Sequence, residues 1–211
     1  MKKKIVICFN KVTTTLFMFA CMLVVFLTTA VSAGTMPQPY VCKVTIFSFA
    51  GTDSFIGINY TGHSFLMIEN LTNNSLEVGH YVLYSYSKMT VGLWGNQSAH
   101  SGVWYNIEAH ESSNPIYSGR VSISEKLVAA QLYVLSGYIE NHDYYNLLTF
   151  NCSSFACGAW NDFSTTTLSA GTPNLPYNLK NSIMTHTYAT DATIYYNADV
   201  CYYNGSNLVY V

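Results

Sequence analysis

The chain has 211 residues, of which 50 % are hydrophobic, 15 % aromatic and only 9 % charged. Nine Lys and Arg residues cannot neutralise many phosphates, so nucleic acid is excluded as a partner. The apolar content suffices for the core of one compact domain.

The first segment, MKKKIVICFNKVTTTLFMFACMLVVFLTTAVSAGT, places Lys2, Lys3, Lys4 and Lys11 ahead of a long apolar run that ends in small residues before Gly34. That is the layout of a secretory signal peptide cleaved after Ala33, which leaves residues 34–211 as a single domain. An uncleaved anchor is the competing reading, because the run is nearly long enough to span a bilayer. Beyond residue 33 five basic residues face eleven acidic ones, a net charge of −6 with neutral His. The exported surface is polar through Tyr, Asn, Ser and Thr, not through charge. Asn59, Asn70, Asn73, Asn96, Asn151 and Asn204 each open an Asn-x-Ser/Thr triplet. A glycan on Asn151 would crowd Cys152, so a functional Cys152 points to a host that does not glycosylate, with a bacterial extracellular or cell-envelope location. Export permits disulfides, and a Cys42–Cys201 bridge would tie the two ends of the domain together.

In chain order, VCKVTIFSFA is a strand, and GHSFLMIEN and SLEVGHYVLY flank the turn LTNN as a hairpin. KMTVGLWG and GVWYNIEAH are two further strand candidates. The period then changes. SISEKLVAAQLYVLSGYIEN carries Val128, Leu132, Leu135 and Ile139 at helical spacing, and Ser122 and Glu125 have capping-box spacing at its start. A shorter helix begins at Cys152, with Phe155, Ala156, Ala159, Trp160 and Phe163 as its apolar stripe. GTPNLPYNLKNSI reads as loop with a short helix, and ATIYYNADVCYYN as closing strands. Strands and helices in blocks predict an α+β fold, an antiparallel sheet packed against helices.

In LTFNCSSFACGAWNDF, Asn151 is a good N-cap and Cys152 lies in the first helical turn. There the helix dipole and free N–H groups favour a thiolate and can stabilise an oxyanion. A buried inert thiol is the competing reading. A nucleophile needs a base, and His63 and His80 both fall among apolar residues in predicted strands. With Leu71 to Asn74 as the loop, Phe65 pairs with His80 and His63 with Val82. His63 and His80 then share a face, so His80 can orient the His63 imidazole as the third member of a triad. A one-residue slip in register removes that arrangement. Zinc on His63, His80 and Cys152 is chemically allowed, but no further ligand spacing supports it, so no metal or cofactor is expected. Cys157 reads as a buried thiol or disulfide partner.

GHSFLMIEN followed much later by NCSSFACGAW resembles the circularly permuted branch of the NlpC-type papain-like cysteine hydrolases, which includes lecithin:retinol acyltransferase-like enzymes. The resemblance spans Gly62 to Phe163. It implies a permuted papain-like fold, Cys152 as nucleophile, His63 as general base and a polar third residue on the neighbouring strand, for which His80 is the nearest match. The segment WGNQSAHSGVWYNIEAHESSNP carries no assignable motif, although Trp94, Trp104 and Tyr105 are candidates to line a substrate groove. The expected function is a secreted thiol hydrolase that cleaves an amide bond, in a cell-wall peptide, through a thioester. A lipid-directed acyltransferase or hydrolase is the enzymatic alternative. A binding or effector protein on the same scaffold is the non-enzymatic one.

Overall fold

The computed structural model describes residues 38–211 apart from 52, 53, 56, 57, 60, 112 and 196–198. The predicted signal peptide lies outside the described residues. Strand β1 (Tyr40–Ala50) has β-branched and aromatic residues through its length and pairs on both edges. The short pair β2 (Ser54–Phe55) and β3 (Ile58–Asn59) leads into β4 (Gly62–Asn70). A second small pair, β5 (Leu76–Val78) and β6 (Tyr81–Leu83), precedes β7 (Lys88–Trp94) and β8 (Gly102–Tyr105). A one-turn helix, α1 (Ile107–His110), is followed by β9 (Val121–Val128), α2 (Ala129–Asn141), α3 (Cys152–Phe163) and α4 (Pro176–Met184). Strands β10 (Ala189–Thr190), β11 (Cys201–Tyr203) and β12 (Leu208–Tyr210) complete an eight-stranded sheet in the order β10-β9-β1-β4-β7-β8-β11-β12, antiparallel at each pairing. The architecture is mixed α+β with a large antiparallel sheet and a few helices.

Period-two alternation splits the sheet into two faces. Val44, Ile46, Leu66, Ile68, Met89 and Val91 pack with Leu132, Leu135 and Ile139 of α2, Phe155, Ala159 and Trp160 of α3, and Leu179 and Ile183 of α4. The alternate residues Phe47, Phe49, Phe65 and Met67 form a second cluster with Tyr117 and Ile194. Each fully buried large side chain, such as Phe155 at 0 % and Trp160 at 1 % exposure, contributes roughly 1.5–3 kcal/mol. Among the described residues no helix is long and apolar enough to cross a membrane.

Three local expectations are corrected. The partners of β4 are β1 and β7, with Phe65 opposite Phe47 and Gly92, not the run Ser75–Tyr84. That run folds on itself about Gly79, whose φ of 57° makes the tight turn, and Asn70 Nδ2 clamps it through the carbonyls of Asn74, Leu83 and Tyr84. Ser122 and Glu125 do not cap a helix. They lie in β9, where Ser122 pairs with Phe47, because a full edge of β1 was available and sheet pairing outweighs a local cap signal. The helix begins at Ala129, where Gln131 Oε1 accepts from the Val128 N–H at 3.1 Å.

The Cys42–Cys201 bridge is also absent, since Cys42, Cys152, Cys157 and Cys201 are all free thiols. Cys42 is in β1 and Cys201 in β11, with β4, β7 and β8 between them. Four strand spacings amount to about 19 Å, far beyond disulfide reach.

Candidate active site

Helix α3 starts with a complete cap. Asn151 Oδ1 accepts from the N–H groups of Ser153 at 3.0 Å and Ser154 at 3.2 Å, and Ser154 Oγ accepts from Asn151 N–H at 3.2 Å. Asn151 Nδ2 donates to the carbonyls of Leu147 and Asn174, which ties the helix start to two loops. The cap engages Ser153 and Ser154 and leaves the N–H of Cys152 at the first helical position.

His63 follows Gly62, whose φ of 116° suits only glycine and whose added Cβ would collide with the Phe49 carbonyl. The buried imidazole lies against Trp94, with ring centroids 4.2 Å apart, and near Phe65 and Phe49 at 5.8 and 6.4 Å. Its Nε2 is 2.8 Å from Glu108 Oε1. The ring and the Cys152 thiol line the same cleft and are close enough for each to shift the other's titration.

Glu108 is fully buried, and each of its oxygens has a partner. Trp94 Nε1 donates to Oε1 at 2.8 Å, and Thr90 Oγ1 donates to Oε2 at 2.9 Å. An added Cβ at Gly92 would press on the Glu108 carboxylate and approach His63 Nε2, so that glycine makes room for the pair. The chain reaches this point by turning at Asn106, which has φ 69°, a conformation asparagine tolerates. Asn106 Oδ1 accepts from Thr90 N–H at 3.0 Å and its Nδ2 donates to the Asp199 carbonyl at 3.1 Å, which fixes the turn that aims α1 inward.

Charges in this row reinforce one another. Burial pulls the His63 pKa down, but the negative charge and hydrogen bonds of Cys152 and Glu108 override it and raise it to about 9. Burial pushes the Cys152 thiol up, and the charge and hydrogen bond of His63, with the Ser64 backbone N–H, bring it below its ordinary value. Both shifts favour the charged form of their group, which biases the pair toward imidazolium and thiolate. Cys157, five residues on, differs. Burial raises its pKa, and its Sγ donates to the Leu168 carbonyl at 3.3 Å. Burial pushes Cys42 and Cys201 up to about 12.

Cys152 is half-buried at the floor of an open cleft of about 520 Å³ lined by Gly62, His63, Leu93, Trp94, Tyr145 and Leu147, with Gly95 and Asn96 at its side. Of the three aromatic candidates, Trp94 lines this cleft. Trp104 and Tyr105 are buried at 2 % and 1 % exposure, and Trp104 instead faces a neighbouring pocket of about 450 Å³ that shares the Trp94 wall.

Cys152 and His63 are brought together, and His80 is not. His80 is exposed in the β5–β6 turn, stacked on Tyr203 at 3.6 Å, with its N–H donating to Tyr105 Oη at 3.1 Å. The group on His63 is Glu108, from the segment that showed no motif. Its one sequence signal is an acidic residue set between apolar Ile107 and Ala109, with no basic residue beside it. The absence of His80 also dissolves the zinc arrangement, and among the described residues no cluster of three or more His, Cys, Asp or Glu suits a metal ion. Two triplet asparagines are unsuited to carry a glycan: Asn70 and Asn151 are buried and their amide nitrogens are engaged.

No family model, curated protein or solved structure matches the chain.

Proposed function

We propose that the protein is a secreted cysteine hydrolase with a permuted papain-like arrangement, acting on an amide bond through a thioester. The observation that carries this reading is the buried His63–Glu108 pair at 2.8 Å, with His63 and Cys152 lining one open cleft and each favouring the other's charged form. In this reading the Cys152 thiolate attacks the substrate carbonyl carbon, and the oxyanion is met by the Cys152 N–H at the start of α3. His63 donates its proton to the leaving amine as the C–N bond breaks, which leaves a thioester and a neutral imidazole. His63 then takes a proton from water, the hydroxide adds to the thioester carbonyl, and collapse releases the carboxylic acid and restores the thiolate. Glu108 holds the imidazole in one orientation and stabilises its charged form. A cell-wall peptide is the substrate class that export suggests.

A lipid ester is the second reading, favoured by two observations. Among the described residues no charged side chain other than that of His63 or Cys152 lines the cleft, and Leu147 in its lining is 68 % exposed, followed in the chain by Leu148 at 82 %. The test incubates the protein from Gly34 onward with peptidoglycan fragments and with acyl esters, beside Cys152→Ala, and looks for acyl-Cys152 by mass spectrometry. Turnover with a trapped acyl-Cys152 supports the enzyme and identifies the class. A Cys152 that reacts with neither substrate nor alkylator overturns the reading in favour of a binding protein.

A further inference from the structure

Behind Cys152 three buried serines form a line of hydroxyls that crosses the fold. Ser153 Oγ is 3.9 Å from Cys152 Sγ and 3.3 Å from Ser64 Oγ. Ser64 Oγ is 2.8 Å from Ser48 Oγ, its direct neighbour across the β1–β4 pairing. Ser48 Oγ donates to the Pro176 carbonyl at 2.8 Å, at the first turn of α4. All three serines are at 0 % exposure, so bulk water supplies no alternative partner.

Each hydroxyl carries one hydrogen, and a carbonyl only accepts. The direction of the line is therefore decided from its fixed end. Ser48 commits its hydrogen to Pro176, so the short Ser48–Ser64 contact needs the hydrogen of Ser64. Ser64 then has only lone pairs for Ser153, and Ser153 must donate to Ser64. What Ser153 turns toward the sulfur is a lone pair. Ser153 would lower the thiol's pKa if its hydrogen pointed at the sulfur, but with that hydrogen committed to Ser64 the arrangement accepts from a thiol and opposes a thiolate, against the pull of His63 and of the Ser64 N–H on the other sides.

We propose that this serine line sets the thiol–thiolate balance of Cys152 through its hydrogen-bond polarity, and that breaking it at Ser48 or Ser64 turns the Ser153 hydroxyl into a donor to the sulfur. The three serines are positioning residues. By withholding one donor the line keeps the sulfur basic, and a more basic thiolate is the stronger nucleophile. The titratable groups that face Cys152 are His63 from β4 and Tyr145 from the loop before α3, with Glu108 acting through His63. The inference rests on Cys152 as nucleophile only for its consequence, since the balance itself is read without substrate.

The experiment is the pH dependence of Cys152 alkylation by iodoacetamide, mapped by mass spectrometry, in the protein and in Ser48→Ala, Ser64→Ala, Ser153→Ala and Ser48→Ala/Ser153→Ala. Ser48→Ala and Ser64→Ala each lower the midpoint by about one unit, which is about tenfold more thiolate below the midpoint. The double variant returns to the midpoint of Ser153→Ala. Ser64→Ala keeps the backbone N–H and breaks the line from a second strand if Ser48→Ala fails to fold. An unchanged or raised midpoint in the single variants, or a downward shift that survives in the double variant, overturns the proposal. Loss of hydrolysis with the shift intact would instead count against the proposed function alone.

Discussion

Two histidine–carboxylate pairs in this molecule have nearly the same length and different prospects. His63 and Glu108 are 2.8 Å apart, and His100 and Asp143 are 2.7 Å apart. The second pair is partly exposed, and Asp143 Oδ1 also accepts from Val103 N–H at 2.6 Å, so its work is to pin the loop before β8 to the loop after α2. The first pair is buried, its carboxylate is held by Trp94 and Thr90, and its imidazole shares an open cleft with the Cys152 thiol. A histidine–carboxylate pair is therefore not a site by itself. Burial strengthens it, and a third group with access to solvent gives it chemistry.

That contrast can be broken experimentally. The largest expected effect is at the sulfur: Cys152→Ala abolishes turnover and neutral-pH alkylation, whereas Cys157→Ala leaves both within twofold, as peptide mapping and initial rates will show. Next, His63→Ala lowers alkylation of Cys152 at pH 6.5 by about a hundredfold, since its thiol returns toward an ordinary or raised pKa, while His100→Ala leaves labelling unchanged. Glu108→Gln keeps the shape of the site but removes the charge facing His63. The His63 pKa, followed by NMR of the ring, falls from about 9, and turnover drops by about ten- to a hundredfold. Asp143→Asn costs about 1 kcal/mol of stability in denaturant melts and spares the rate.

A smaller effect separates the two groups of the site by pH. The folded His63 pKa is raised, so its contribution to stability is fully present below the ordinary value of 6.5 and is lost as pH rises through about 9. Cys152 is shifted down, so its contribution is present above the ordinary thiol value and is lost as pH falls through its lowered folded value. Turnover, which needs imidazolium to protonate the leaving group, declines above about pH 9, while alkylation, which needs only thiolate, does not decline. Parallel loss of both would show that the site unfolds instead of titrating. The smallest effect is His80→Ala, which changes rate and labelling less than twofold because that ring touches Tyr203 and not the cleft.

Much of the architecture was legible in local pattern. The apolar runs 41–50 and 62–70, and the stripe Phe155, Ala156, Ala159 and Trp160, correspond to two strands and a helix in which most of those residues are buried. Asn151 before Cys152 was legible as a cap because a cap is made within three residues. Strand partners were not legible. β4 pairs with β1 and β7, and a hydrophobic strand carries no mark of which edge it will meet. The position of His80 followed from a wrong partner, and the line of Ser48, Ser64 and Ser153 could not be seen until three distant segments were stacked.

The sequence by itself determined the helix that begins at Cys152, the strand that begins at Gly62 and carries His63, and the shortage of charge. These depend on neighbours in the chain and on composition. Only the tertiary structure decided that Glu108, and not His80, meets His63, and that Cys42 and Cys201 stay apart as thiols. A buried carboxylate is held by partners from other elements, here Thr90, Trp94 and His63, and the left-handed turn at Asn106 that aims it inward is itself held by Thr90 and Asp199. Such contacts cost desolvation unless all of them form together, so they exist only in the folded chain.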